Sequence, residues 1–195
     1  MARAKAALER LDAPPADSLA KAAIYGEVFM PVSRDVGLLL YILTRNRSPD
    51  LIVEFGTSFG ISTIHLAAAV RDNGQGRVVS TELHGEKIRR ARQNLDDAGL
   101  LDLVEIREGD ALQTLRTLDG EVGLVLLDGW KDLYLPVLKL LEPRLQPGAI
   151  VVADDTSLFP DALQSYLDYV RCPGNGYLSV TIPMGDGVEI SQRTV

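Results

Sequence analysis

From Asp50 onward, short apolar runs alternate with longer segments whose apolar residues recur at every third or fourth position. The runs LIVEF (51–55), RVVST (77–81), LVEIRE (103–108), VGLVLL (122–127) and AIVVA (149–153) read as strands. Between them, ISTIHLAAAV (61–70), Gly85–Ala98, Ala111–Leu118 and a stretch from Lys131 to Leu145 read as helices. Gly99 is suited to cap the second of these, and Pro136 is tolerable in the last only within its first turn. A further helix opens at Pro160 and runs to Arg171. Upstream of Asp50 the spacing is helical: ARAKAALERL, broken by Pro14-Pro15, then Ser18–Val28, then Ser33–Arg45 with Ser33 as its cap. In the tail YLSVTIPMGDGVEISQR, two alternating runs flank Gly185-Asp186-Gly187, which predicts a hairpin.

Strand–helix alternation predicts an α/β fold with a doubly wound, mostly parallel sheet, because right-handed crossovers place helices on both faces. Five alternating strands and the hairpin make seven, the hairpin joining antiparallel at one edge. The 195 residues fit a single domain, with N-terminal helices over 1–48 and an α/β core over 49–195. No apolar run is long enough to span a membrane, and MARAKAALERLD carries charges too often for a secretory signal. The single cysteine, Cys172, excludes an internal disulfide and fits a cytoplasmic location. A net charge of −7 argues against a nucleic-acid partner, which needs a basic face. Lys87, Arg89, Arg90 and Arg92 lie among acids on one helix and read as a solvated face.

Parallel sheets of this kind bind ligands outside the carboxyl ends of their strands. After the first strand comes Gly56-Thr57-Ser58-Phe59-Gly60, a turn that opens a helix and lets backbone approach a ligand. It also matches the G-x-S-x-G nucleophile elbow, but that chemistry needs a histidine late in the chain, and only His65 and His84 are present. The second glycine of a dinucleotide fingerprint is missing, so a nucleoside without a pyrophosphate fits better. Glu82 ends the second strand, where an acid accepts hydrogen bonds from ribose hydroxyls. Asp110 and Ala111 follow the third and would flank a purine, although Asp110 equally suits a helix cap.

The fourth and fifth strands end in Asp128 and in Asp154-Asp155. Three clustered carboxylates repel one another, and a hard divalent ion, Mg²⁺ by preference, relieves that repulsion. The alternative is that Asp155 caps the next segment while Asp154 faces water.

These segments together resemble the class I S-adenosylmethionine-dependent O-methyltransferases of the catechol and caffeoyl-CoA type, from about Glu27 to the C-terminus. Asp128-Gly-Trp-Lys-Asp-x-Tyr-Leu-Pro is similar to the family's metal-and-base segment, and VEFGTSFGIS (53–62) to its first cofactor motif. REGDALQTL (107–115) resembles the adenine-side segment, and IPMGDGVEIS the closing hairpin. The resemblance implies a Rossmann-like methyltransferase fold, S-adenosylmethionine and Mg²⁺ as cofactors, and a small phenolic substrate with vicinal hydroxyls. It places Glu54 and Gly56 at the methionine part of the cofactor and Ser62 at the start of the following helix, with Ser58 where the family often has tyrosine. Met30 would cover the cofactor with backbone, Glu82 would hold the ribose, and Asp110 and Ala111 would sit by the adenine. Asp128, Asp154 and Asp155 match the metal ligands, the last replacing a usual asparagine. Lys131 matches the general base, and Trp130 would wall the methyl channel. A homodimer is a further possibility that the family raises. Two alternatives stay open: a metal-independent methyltransferase acting on nitrogen or RNA, and a cofactor-binding regulatory protein.

Overall fold

The computed structural model describes Phe29 and residues 31–195. The helices expected before Phe29, and Met30, lie outside the described residues. The chain then runs α1 (Arg34–Arg47), β1 (Leu51–Phe55), α2 (Ile61–Asn73), β2 (Arg77–Glu82), α3 (Gly85–Asp97), β3 (Val104–Glu108) and a one-turn α4 (Ala111–Thr114). It continues through β4 (Val122–Leu127), α5 (Tyr134–Leu141), β5 (Leu145–Ala153), α6 (Pro160–Arg171), β6 (Tyr177–Ile182) and β7 (Val188–Arg193). Ser33 caps α1 as expected, its hydroxyl accepting from the Val36 N–H at 3.2 Å.

The seven strands line up as β3-β2-β1-β4-β5-β7-β6. β1 to β5 are parallel, and β7 runs antiparallel to both its neighbours. β1 and β4 are buried along their whole length, as central strands covered on both faces must be. On one face α1, α2 and α3 set Val36, Leu40, Leu66, Val70, Ile88 and Leu95 against the sheet. On the other, α4, α5 and α6 contribute Ala111, Leu138, Leu163 and Tyr166. Each face therefore buries its own apolar layer, the main stabilising term of such a fold. Among the described residues no helix is long and apolar enough to cross a membrane.

Two expected helices are shorter than their periodicity predicts. The stretch from Lys131 to Leu145 opens and closes in 3₁₀ turns around α5, and its end at Leu145 already belongs to β5. Pro143 stops the helix, and β5 pairs from Leu145 with Val122 across an irregularity between Val122 and Leu124. Ala111–Leu118 is a single α-turn followed by a 3₁₀ turn over Leu115–Thr117. Pro136 does fall in the first turn of α5.

Candidate active site

Strand register builds the site. Phe55 pairs with Thr81 on one side and Leu127 on the other, and Leu127 pairs with Ala153. The next residues, Gly56, Glu82, Asp128 and Asp154, therefore form a row along the carboxyl edge. Backbone bonding carries on past the strands: the Asp128 N–H donates to the Phe55 carbonyl at 2.9 Å, and the Asp154 N–H to the Leu127 carbonyl at 3.0 Å. Gly56 has φ of +105°, and a Cβ there would lie 2.5 Å from the Asp128 carbonyl oxygen. Any other residue would push the turn off β4.

A narrow cleft opens above this row, lined by Phe29, Pro31, Val32, Gly56, Ser58, Phe59, Ser62 and Asp128. Glu54 lies behind its wall. The carboxylate of Glu54 is fully buried and accepts from Ser62 at 2.6 Å and from Thr63 and Ser80. Burial raises its pKa, and the hydroxyl bonds only partly offset that. Glu54 thus ties the start of α2 to β1 and β2, and Ser62, expected to face the cofactor, is held by that tie.

Glu82 is oriented by three backbone donors. Its Oε2 accepts from the Ser58 N–H at 2.8 Å, and its Oε1 from the Leu83 and His84 N–H groups at 2.9 and 3.0 Å. Ser58 holds this position with φ of 48°, a left-handed conformation uncommon for serine. Asp110 caps α4, accepting from the Leu112 N–H at 2.9 Å, and Ala111 is buried beneath it.

One expectation on this side is overturned: Lys87 does not share a solvated face with Arg89, Arg90 and Arg92. It is 6% exposed, because α3 turns Lys87, Ile88, Ala91 and Leu95 inward while the arginines remain outside. Its ammonium lies over the Phe59 ring, 5.6 Å from the centroid. α3 is clamped to the same turn by Asn94, whose amide donates to the Phe59 carbonyl at 2.9 Å.

The acidic end gathers around Lys131. Its ammonium lies 2.7 Å from Asp155 Oδ2 and 3.6 Å from Asp128 Oδ1, and it donates to the Tyr134 hydroxyl at 2.7 Å. Tyr134 is fully buried, donates onward to the Asp154 carbonyl at 3.2 Å, and packs edge-on against Phe55 and Tyr166. Sequence reasoning missed Tyr134, although its place three residues after Lys131 puts the two side chains on one helical face. Burial pushes the Asp128 carboxyl well up, with Lys131 opposing and Asp154, Asp155 and Glu54 adding to the rise. Asp154 is pushed up to about 6, first by burial and then by the charge of Asp155. Its Oδ1 is buried without a hydrogen-bond partner among the described residues. Trp130 is half-buried beside them.

The three acids expected to ligate an ion therefore reach one edge but do not surround one point. Among the described residues no group of three His, Cys, Asp or Glu side chains is arranged to hold a metal. Lys131 lies among them, its ammonium paired with Asp155 at 2.7 Å and 3.6 Å from Asp128. The donor chemistry still suits a hard cation, since the orphaned Asp154 oxygen adjoins the Asp128 carboxylate.

A family described as "Methyltransferase domain" matches residues 53–156, the span from β1 past Asp155. Catechol O-methyltransferase B of Danio rerio is 31% identical over 73% of this chain and 55% of its own length. Catechol O-methyltransferase of Mycobacterium tuberculosis is 36% identical over 64% of this chain and 56% of its own. The chain thus spans little more than half of those two relatives. The O-methyltransferase TomG of Streptomyces achromogenes, solved in complex with SAM, superposes with a TM-score of 0.77 at 25% identity, covering 96% of this chain and 94% of that one.

Proposed function

This chain belongs to the methyltransferase-domain family, and we propose that it is an S-adenosylmethionine-dependent O-methyltransferase of the catechol and caffeoyl-CoA type that methylates a small vicinal dihydroxy aromatic. The observation that carries this reading is the edge itself. An acid suited to ribose, Glu82 at the end of β2, and a lysine among acids, Lys131 in the turn after β4, stand on either side of β1 at one carboxyl edge.

In this reading the cofactor lies along the row from Glu82 to Asp128, its ribose hydroxyls donating to Glu82 and its methionine part over Gly56 and beside Ser62. Lys131, in its neutral amine form and held at the edge beside the Tyr134 hydroxyl, takes the proton from the acceptor hydroxyl. The resulting oxyanion attacks the sulfonium methyl in line. A C–O bond forms, the C–S bond breaks, and S-adenosylhomocysteine leaves. Much of the acceleration then comes from orientation inside a cleft that excludes water. Asp128, Asp154 and Asp155 are the residues that would hold Mg²⁺, which when bound would lower the pKa of a chelated acceptor hydroxyl.

The test is methyl transfer from labelled S-adenosylmethionine to catechols of increasing size, with chelator and with added Mg²⁺. The expected outcome is turnover of at least one catechol, lost in chelator and restored by the ion. Full activity in chelator would favour a metal-independent transfer, a reading that the Lys131–Asp155 ion pair also supports. No transfer to any catechol would remove the proposed substrate class.

A further inference from the structure

Lys87 is the one basic residue of α3 that the solvated-face reading cannot accommodate. Its stem runs inward against the turn between β1 and α2, and its ammonium lies over the Phe59 ring. The carboxylates whose charges act on it are Glu82 and Asp128, both on the ligand edge. Among the described residues the ammonium donates no hydrogen bond. A lysine whose stem is buried beside the cleft, and whose ammonium donates to no described residue, has donors to offer a ligand there.

Ser58 supplies a second, independent sign of an unfinished contact. Its Oγ is buried without a partner among the described residues, on a left-handed backbone that the Glu82 carboxylate helps to hold. Three kinds of group therefore share this corner: a carboxylate that accepts, an ammonium that donates, and a hydroxyl that does either. A vicinal diol answers them together, because each O–H can donate to Glu82 while each oxygen accepts from Lys87 or Ser58.

We propose that Lys87 is a cofactor-binding residue that hydrogen-bonds the ribose hydroxyls of S-adenosylmethionine jointly with Glu82. This rests on reading the edge as the S-adenosylmethionine site. The adenine and methionine ends contact other residues, so Lys87 contributes to affinity for the nucleoside and not to recognition of the amino acid.

Calorimetric titration of the full chain separates the possibilities, using S-adenosylhomocysteine and 5′-methylthioadenosine, which lacks the amino-acid part. Lys87→Met keeps an apolar stem against Phe59 and should weaken both ligands by a similar factor, on the order of tenfold, the loss of a charge-assisted hydrogen bond. Lys87→Arg should recover part of that loss, and 5′-methylthio-2′,3′-dideoxyadenosine should bind wild type and Lys87→Met alike. Unchanged affinity in Lys87→Met would overturn the proposal. So would a loss confined to S-adenosylhomocysteine, which would assign Lys87 to the carboxylate of the amino acid. If the wild-type chain binds none of these nucleosides, the cofactor site itself falls, a failure distinct from one that appears only in the variant.

Discussion

Asp155 carries its carboxylate on a backbone with φ of 65°, left-handed territory where asparagine and aspartate are the tolerated side chains. Asp155→Asn therefore keeps the backbone, and keeps an oxygen for an ion, while removing the charge that pairs with Lys131 at 2.7 Å. It also removes a charge that raises the Asp154 pKa. We expect this variant to retain turnover within about tenfold of wild type. Lys131→Met, which deletes the proposed base, should lose roughly 10²–10⁴ in kcat yet bind S-adenosylhomocysteine as before. Side-by-side initial rates and binding titrations check both, and equal rates for Lys131→Met and wild type would remove Lys131 as the base. The edge positions of Asp128 and of Asp154-Asp155 were readable in the sequence because β4 ends just before the first and β5 just before the pair. The Lys131–Asp155 pair was not readable, since it depends on where the segment after β5 turns. Lys87 escaped for a related reason: a lysine buries its long stem as readily as it extends it, and only the packing of α3 on the β1–α2 turn decides which.

At the scale of elements, α6 and the β6–β7 hairpin are joined by a buried ionic network away from the ligand edge. The Glu189 carboxylate is fully buried and accepts from both Arg171 nitrogens at 2.8 Å, from Ser179 at 2.7 Å, and from Thr181. Burial alone would raise its pKa, but these bonds and the Arg171 charge outweigh burial and leave it below the ordinary 4.5. The unfolded chain then takes up this proton at higher pH than the folded one. The contribution of the carboxylate to stability is fully present above about 4.5 and is lost as pH falls through the lower folded value. Glu189→Gln should therefore lower the melting temperature at pH 7 and flatten the acid limb of the stability profile. Parallel acid limbs in the two proteins would show that Glu189 does not govern it. Strands with unbroken apolar runs, such as VGLVLL, were legible to the residue. The start of β5 was not, because Gln146, Pro147 and Gly148 look like a turn and join the strand only as an irregularity between Leu145 and Ile150, which pair with β4.

For the molecule as a whole, the doubly wound architecture followed from alternation alone, and the hairpin from Gly185-Asp186-Gly187. Strand order did not, since periodicity says which segments pair with water and which with core, but not which strand neighbours which. That order has a kinetic meaning. β7 is made after β6 yet lies between β6 and β5, so β6 has no sheet neighbour until the later strand has been synthesised. It can enter the sheet only with β7 or after it, folding back around the 183–187 turn onto the strand that covers the open flank of β5. The parallel strands can assemble progressively as the chain leaves the ribosome, but β5 stays an uncovered edge until β7 pairs with it. A nascent chain paused before Val188 would carry its most aggregation-prone surface at the flank where the finished protein is closed.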